Sequence, residues 1–77
     1  MKDTHKKDQI TVVKVIELIG SSPKSWEDAT ANAIKAASES VRNITGVDVQ
    51  RCTAKVKNNK IFEYRAAVKI AFIVDRE

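Results

Sequence analysis

Apolar and polar residues alternate through most of this chain, with one interruption of helical period. From Ile10 to Ile19 the sequence reads ITVVKVIELI, rich in β-branched residues, and this predicts a strand. Both alternating faces are apolar: Val13, Val15 and Ile19 on one, Val12, Ile16 and Leu18 on the other. A strand apolar on both sides is covered on both sides. Gly20-Ser-Ser-Pro23 breaks the strand. Trp26, Ala29, Ala33, Ala37, Val41 and Ile44 then step by three and four, predicting a helix that runs to about Asn43. Ser25 followed by Asp28 resembles a capping box, with Ser22 before Pro23 as the other candidate start. The stripe is mostly alanine, so the helix is able to lie close to a sheet. Thr45-Gly46 is the expected stop, the glycine suited to a left-handed turn.

Gly46 to Lys57 and Lys60 to Asp75 read as two strands joined at Asn58-Asn59, a pair that tolerates positive φ in a tight hairpin. A two-residue turn sets Lys57 against Lys60, Cys52 against Arg65, Asp48 against Lys69, and Gly46 near Ala71. In the last strand Phe62, Tyr64, Ala66, Val68, Ile70, Phe72 and Val74 share one face, which the helix must cover. The opposite face mixes Ile61, Glu63, Arg65, Ala67 and Lys69 with Gly46, Asp48, Gln50, Cys52, Ala54 and Val56, and one helix cannot cover it. The expected fold is therefore α+β: β-α-β-β, a three-stranded antiparallel sheet half-wrapped around one helix. Residues 1–9 form a flexible polar leader, and 10–77 a single domain.

Length sharpens the implication of the open face. A chain of 77 residues buries only about 60% of its unfolded surface and is marginal without a staple or partner subunits. Cys52 is the only cysteine, so no intrachain disulfide exists; the thiol is read as a small packing residue, consistent with a reducing cytoplasm. No run of apolar residues suggests a membrane span or a signal peptide, and cytoplasmic residence is expected. The net charge of +4 reads as dispersed, with Lys2, Lys6 and Lys7 set against Asp3 and Asp8 and a nearly balanced helix. The four aromatics fall mostly on apolar faces, so neither nucleic acid nor a membrane is an expected partner.

Catalysis is not expected. The one histidine, His5, lies in the leader and serves no serine or cysteine as a base, and two glycines make no phosphate loop. Glu27 and Asp28 suit the positive end of the helix dipole. Trp26 heads the alanine stripe and reads as a core or subunit contact. Asp48 opposite Lys69 reads as a surface or interface ion pair. Arg65, mid-strand on the open face, is placed to meet a neighbouring carboxylate or an anionic ligand.

Three segments in order carry a family resemblance: Gly20-Ser-Ser-Pro-Lys-Ser-Trp-Glu-Asp-Ala29, the helix end Val41-Arg-Asn-Ile44, and Glu63-Tyr-Arg-Ala-Ala-Val-Lys-Ile-Ala-Phe72. Together, over roughly residues 10–74, they resemble the dodecins. The resemblance implies a homododecameric shell, the flavin-binding members holding riboflavin, FMN or FAD between subunits. In those members a tryptophan just after the helix stacks on the isoalloxazine and a later glutamine hydrogen-bonds its polar edge. The matching positions here are Gly46 and Arg65, which supply neither the ring nor the acceptor. The Ser-Trp-Glu helix start is similar to a branch without that tryptophan, proposed to bind calcium. Three readings follow: a non-enzymatic shell that binds or stores a small ligand, flavin by family default; a shell whose interfaces bind a divalent cation through Asp48, Glu63 or Glu17 beside Lys69; and an assembly with no cofactor.

Overall fold

The computed structural model describes residues 11–74, so the polar leader and His5 lie outside the described residues. The elements follow the order β1 (Val13–Ser22), α1 (Trp26–Ser38), β2 (Ile44–Lys57) and β3 (Lys60–Ile73). The strands form one antiparallel sheet in the order β1-β3-β2, which places the most regularly alternating strand at the centre.

β1 continues through Gly20 and Ser21 to Ser22, past the expected break. Gly20 is not a turn residue here; it pairs with Ala66 and lies against the helix backbone. Pro23 is the actual stop, since it has no N–H for a ladder bond. Ser25 is the cap: its backbone is extended and its Oγ accepts the Asp28 N–H at 2.9 Å. Asp28 does not complete a capping box. Its carboxylate instead accepts a 2.7 Å bond from the buried Ser22 hydroxyl, tying the helix start to the end of β1.

The helix ends at Ser38, one turn or more short of the expected Asn43. Glu39, Ser40 and Val41 close the end with bonds to the Ala36 and Ala37 carbonyls. The chain then doubles back through Asn43 at φ 64, and Ile44 already belongs to β2. Asparagine rather than Gly46 therefore supplies the left-handed residue, as its short polar side chain permits. Val41 and Ile44 reach the core by this reversal, not by helical spacing.

Ala29, Ala33 and Ala37 pack on Ala66, Val68 and Ile70, with Ile16, Leu18, Ile34, Val41 and Ile44 around them. Alanine makes the close approach possible, and it also makes the core thin. Val68 and Ile70 are the largest side chains fully buried. α1 sits over β1 and β3 and leaves β2 beyond its edge, so Val47 and Val49 remain exposed on the helix side of the sheet. The expectation that the helix covers that whole face is thus corrected: a helix about 10 Å across covers about two strands of a sheet, not three.

The β2–β3 ladder contains three irregularities: one skips Thr45 between the Ile44–Phe72 and Gly46–Ala71 pairs, and the other two compensate each other. Lys57 faces Lys60 and Val56 faces Ile61, but Lys55 faces Glu63, leaving Phe62 unpaired. Farther along, Val49 faces Val68 while Arg51 faces Ala67, leaving Gln50 unpaired. One bulge on each strand shifts the register by one residue and then restores it. Asp48 still faces Lys69 and Gly46 still faces Ala71, as the turn predicts. Between the bulges the faces exchange. Arg65 lies opposite Thr53, and Cys52 lies opposite Ala66 on the helix side. Cys52 is exposed there rather than packed.

Candidate ligand and assembly face

The sheet face without a helix carries Val13, Val15, Glu17, Ile19 and Ser21 of β1, with Arg65, Ala67, Lys69, Ala71 and Ile73 of β3 opposite them. Its apolar residues are open to solvent, Ile19 at 63% of its full exposure. A strand edge of this length and apolarity is a surface that proteins ordinarily cover.

A row of charge crosses this face. Glu17, Lys69 and Asp48 stand side by side on three neighbouring strands, and Lys69 Nζ lies 4.0 Å from Glu17 Oε2. The expected Asp48–Lys69 partnership is a matter of register, while the recorded ion pair is with Glu17. Glu63 is not part of this row. It sits six positions along β3 and pairs with Arg65, Nε to Oε2 at 3.5 Å. The side chains of both pairs are partly exposed, which limits what the pairs contribute to stability. Their effect is to give each carboxylate a cationic neighbour. No group of three His, Cys, Asp or Glu side chains able to hold a metal ion occurs among the described residues.

Gly46 and Arg65, the two positions matching the flavin residues, are not brought together within one chain. Gly46 faces Ala71 and Arg65 faces Thr53, so six residues of β3, about 20 Å, separate them. Gly46 borders an open trough of about 360 Å³ with Val15, Val47, Asp48, Lys69 and Ala71. A Cβ built on Gly46 meets nothing within 4 Å, so the space for a ring exists without the ring. Arg65 keeps its side chain half-exposed, yet its Nε is buried without a hydrogen-bond partner. The residues at these positions do not fit an isoalloxazine held by stacking and by an amide acceptor.

Trp26 is not a core residue of the protomer, contrary to one half of its sequence reading. It is 39% exposed, its Nε1–H donates to the Thr53 carbonyl at 2.8 Å, and its ring meets Tyr64 edge-on at 5.0 Å. It thus fastens the helix start to the hairpin. The carbonyl partner on β2 left no trace in the helix pattern.

The charge distribution also differs from the dispersed one expected. Residues 49–62, the outer half of the β2–β3 hairpin, hold Arg51, Lys55, Lys57 and Lys60 and no acidic residue. Fourteen basic residues less these four leave ten, equal to the ten acidic ones, so the whole surplus of +4 resides on this segment. A running count of charge along the sequence carries that signal.

A half-covered antiparallel sheet with one helix, joined as β-α-β-β, defines the class. Within it, the chain belongs to the dodecin family, whose model, described as Dodecin, matches residues 12–75. The calcium dodecin of Mycobacterium tuberculosis is 36% identical over 63 residues, covering 82% of this chain and 89% of that protein. A crystal structure of a calcium dodecin from the same organism, described as a calcium chelating immunodominant antigen with a novel calcium-binding site, superimposes with a TM-score of 0.73. It is 37% identical and the match covers 86% of this chain and 94% of that one. Dodecin from Streptomyces coelicolor shares the fold at a TM-score of 0.85 and 20% identity, covering 90% and 99% of the two chains. No helix among the described residues is long and apolar enough to cross a membrane.

Proposed function

We propose that this chain is a non-enzymatic subunit of a homododecameric shell that binds calcium between subunits. The observation carrying the reading is the open sheet face, where exposed Val13, Val15 and Ile19 flank a row of two carboxylates around one ammonium. Copies of the chain cover the apolar part of that face. Carboxylates from more than one copy, Asp48, Glu17 and Glu63 among them, then supply the several oxygens that a hard cation requires, which the described residues of one copy do not assemble. Likeness to a calcium dodecin over most of the chain supports calcium as the ion. Because a shell interface forms only in the folded assembly, bound calcium stabilises it by mass action.

A second reading is flavin held in the trough beside Gly46, favoured by its volume and its apolar lining of Val15, Val47 and Ala71. It lacks a stacking ring. Size-exclusion chromatography with light scattering tests the assembly, with a single dodecameric species expected and a stable monomer at micromolar concentration refuting it. Calorimetric titration of the chelator-treated shell with calcium tests the ligand. Saturable binding that weakens in Asp48→Asn is expected; no heat with calcium, together with yellow protein as purified, would assign the trough to flavin.

A further inference from the structure

We propose that the free end of the β2–β3 hairpin docks on an anionic lipid surface. β1 pairs with β3 only as far as Tyr64, and the helix begins at the level of Thr53 and Tyr64. Beyond these residues the hairpin continues as a two-stranded ribbon with no third strand and no helix beneath it. Every residue from Lys55 to Phe62 is exposed. A bare two-stranded ribbon is marginal by itself, so its apolar groups gain from external cover.

Those groups are large. Val56 and Ile61 face each other across the ribbon, and the bulged Phe62 stands next to them, at 62%, 45% and 48% exposure. Lys57 and Lys60 face each other directly at the turn, a like-charge pairing that costs stability in an isolated hairpin. Glu63, the nearest acid, is already matched with Arg65 and Lys55. The end is therefore an apolar cluster ringed by cations whose repulsion an external anion relieves.

Charge complementarity selects an anionic partner, and the apolar cluster selects a lipid interface among anions. Aliphatic and aromatic groups enter the boundary of head groups and acyl chains while lysines remain at the level of the phosphates. A nucleic acid would meet the lysines and leave Val56 and Ile61 wet. Because the end is exposed on all sides, a fluid interface wets it without needing a matching groove. A shell would present several such ends at once and gain by avidity.

Co-sedimentation of the intact protein with vesicles of phosphatidylcholine, with and without about 30% phosphatidylserine, tests this. Binding is expected only with the anionic lipid and should fall at high salt. Lys57→Glu with Lys60→Glu should lower the bound fraction at least about tenfold. Phe62→Ser with Ile61→Ser should also reduce it severalfold, while Lys35→Glu on the helix leaves it unchanged. Chromatography of each variant should give the wild-type size. Where the glutamate pair fails to assemble, Lys57→Gln with Lys60→Gln replaces it. Three results overturn the proposal: no phosphatidylserine-dependent binding, binding that survives loss of Phe62 and Ile61, or a change of oligomer in the glutamine pair or the serine pair, which would seat the ribbon on another copy. Capture of a single-stranded oligonucleotide with no vesicle binding would assign the end to nucleic acid instead.

Discussion

Gly20 lies directly beneath the backbone of Ala29, so close that a methyl group on its Cα would collide with the Ala29 carbonyl oxygen and lie 2.9 Å from the Ala33 Cβ. Helix and strand meet here without any side chain between them. This contact sets the depth at which α1 rests on β1 and β3, and with it the burial of Ala29, Ala66 and Val68. Because the obstruction is backbone, it cannot rotate away.

Gly20→Ala should therefore cost about 2 kcal/mol or more by forcing the helix off the sheet. Chemical denaturation of the assembled protein measures it. Stability within a few tenths of a kcal/mol of wild type would show that the helix shifts without cost.

Ser25→Ala should cost about 1 kcal/mol, because the Asp28 N–H loses its acceptor. Ser25→Asp should restore most of it, since aspartate accepts the same bond at the positive end of the helix. A Ser25→Ala chain as stable as wild type would mean that the Ser22–Asp28 bond suffices to hold the helix start.

Trp26→Phe removes the bond to the Thr53 carbonyl while keeping an edge contact with Tyr64, and should cost about 1 kcal/mol. Trp26→Ala should cost about 2 kcal/mol, less than for a fully buried ring because the indole is partly exposed. Thermal unfolding followed by circular dichroism compares them. Equal losses in both variants would place the whole effect in the hydrogen bond.

Riboflavin, which has no phosphate for Arg65 to hold, should show little quenching when titrated with the wild-type protein. Gly46→Trp with Arg65→Gln should increase quenching, since the space at Gly46 is open and glutamine offers an acceptor. Strong stoichiometric quenching by wild type would place flavin in the shell by some other contact.

Replacing Ile19 by Glu puts a second carboxylate on the open face of β1, in place of its most exposed apolar side chain. The folded subunit should survive and the oligomer should dissociate, read as a smaller species in light scattering with an unchanged far-UV spectrum. An intact oligomer would show that this face does not meet another copy.

The sequence by itself determined the order β-α-β-β, a helix start within Ser22–Ser25, the alanine stripe, the Asn-Asn hairpin and the helix face of β3, because each rests on local periodicity or on a backbone preference of one or two residues. It also carried the family, through three segments at fixed spacing. Tertiary structure alone decided where the helix stops, since Val41 and Ile44 keep helical spacing yet reach the core by a reversal at Asn43. It decided the partner of Arg65 as well. Two bulges, at Phe62 and Gln50, cancel, so a register counted from the turn is right at the turn and again from Val49 to Gly46, wrong by one residue between them, and wrong once more at Ile44 beyond the skipped Thr45. A bulge is chosen by how two strands twist over the helix and leaves no fixed residue code, which is why Cys52 and Thr53 exchanged faces unannounced. The separation of Gly46 from Arg65, by contrast, was legible in the sequence: the turn register already set them six residues of β3 apart, about 20 Å, and the bulges leave that distance unchanged.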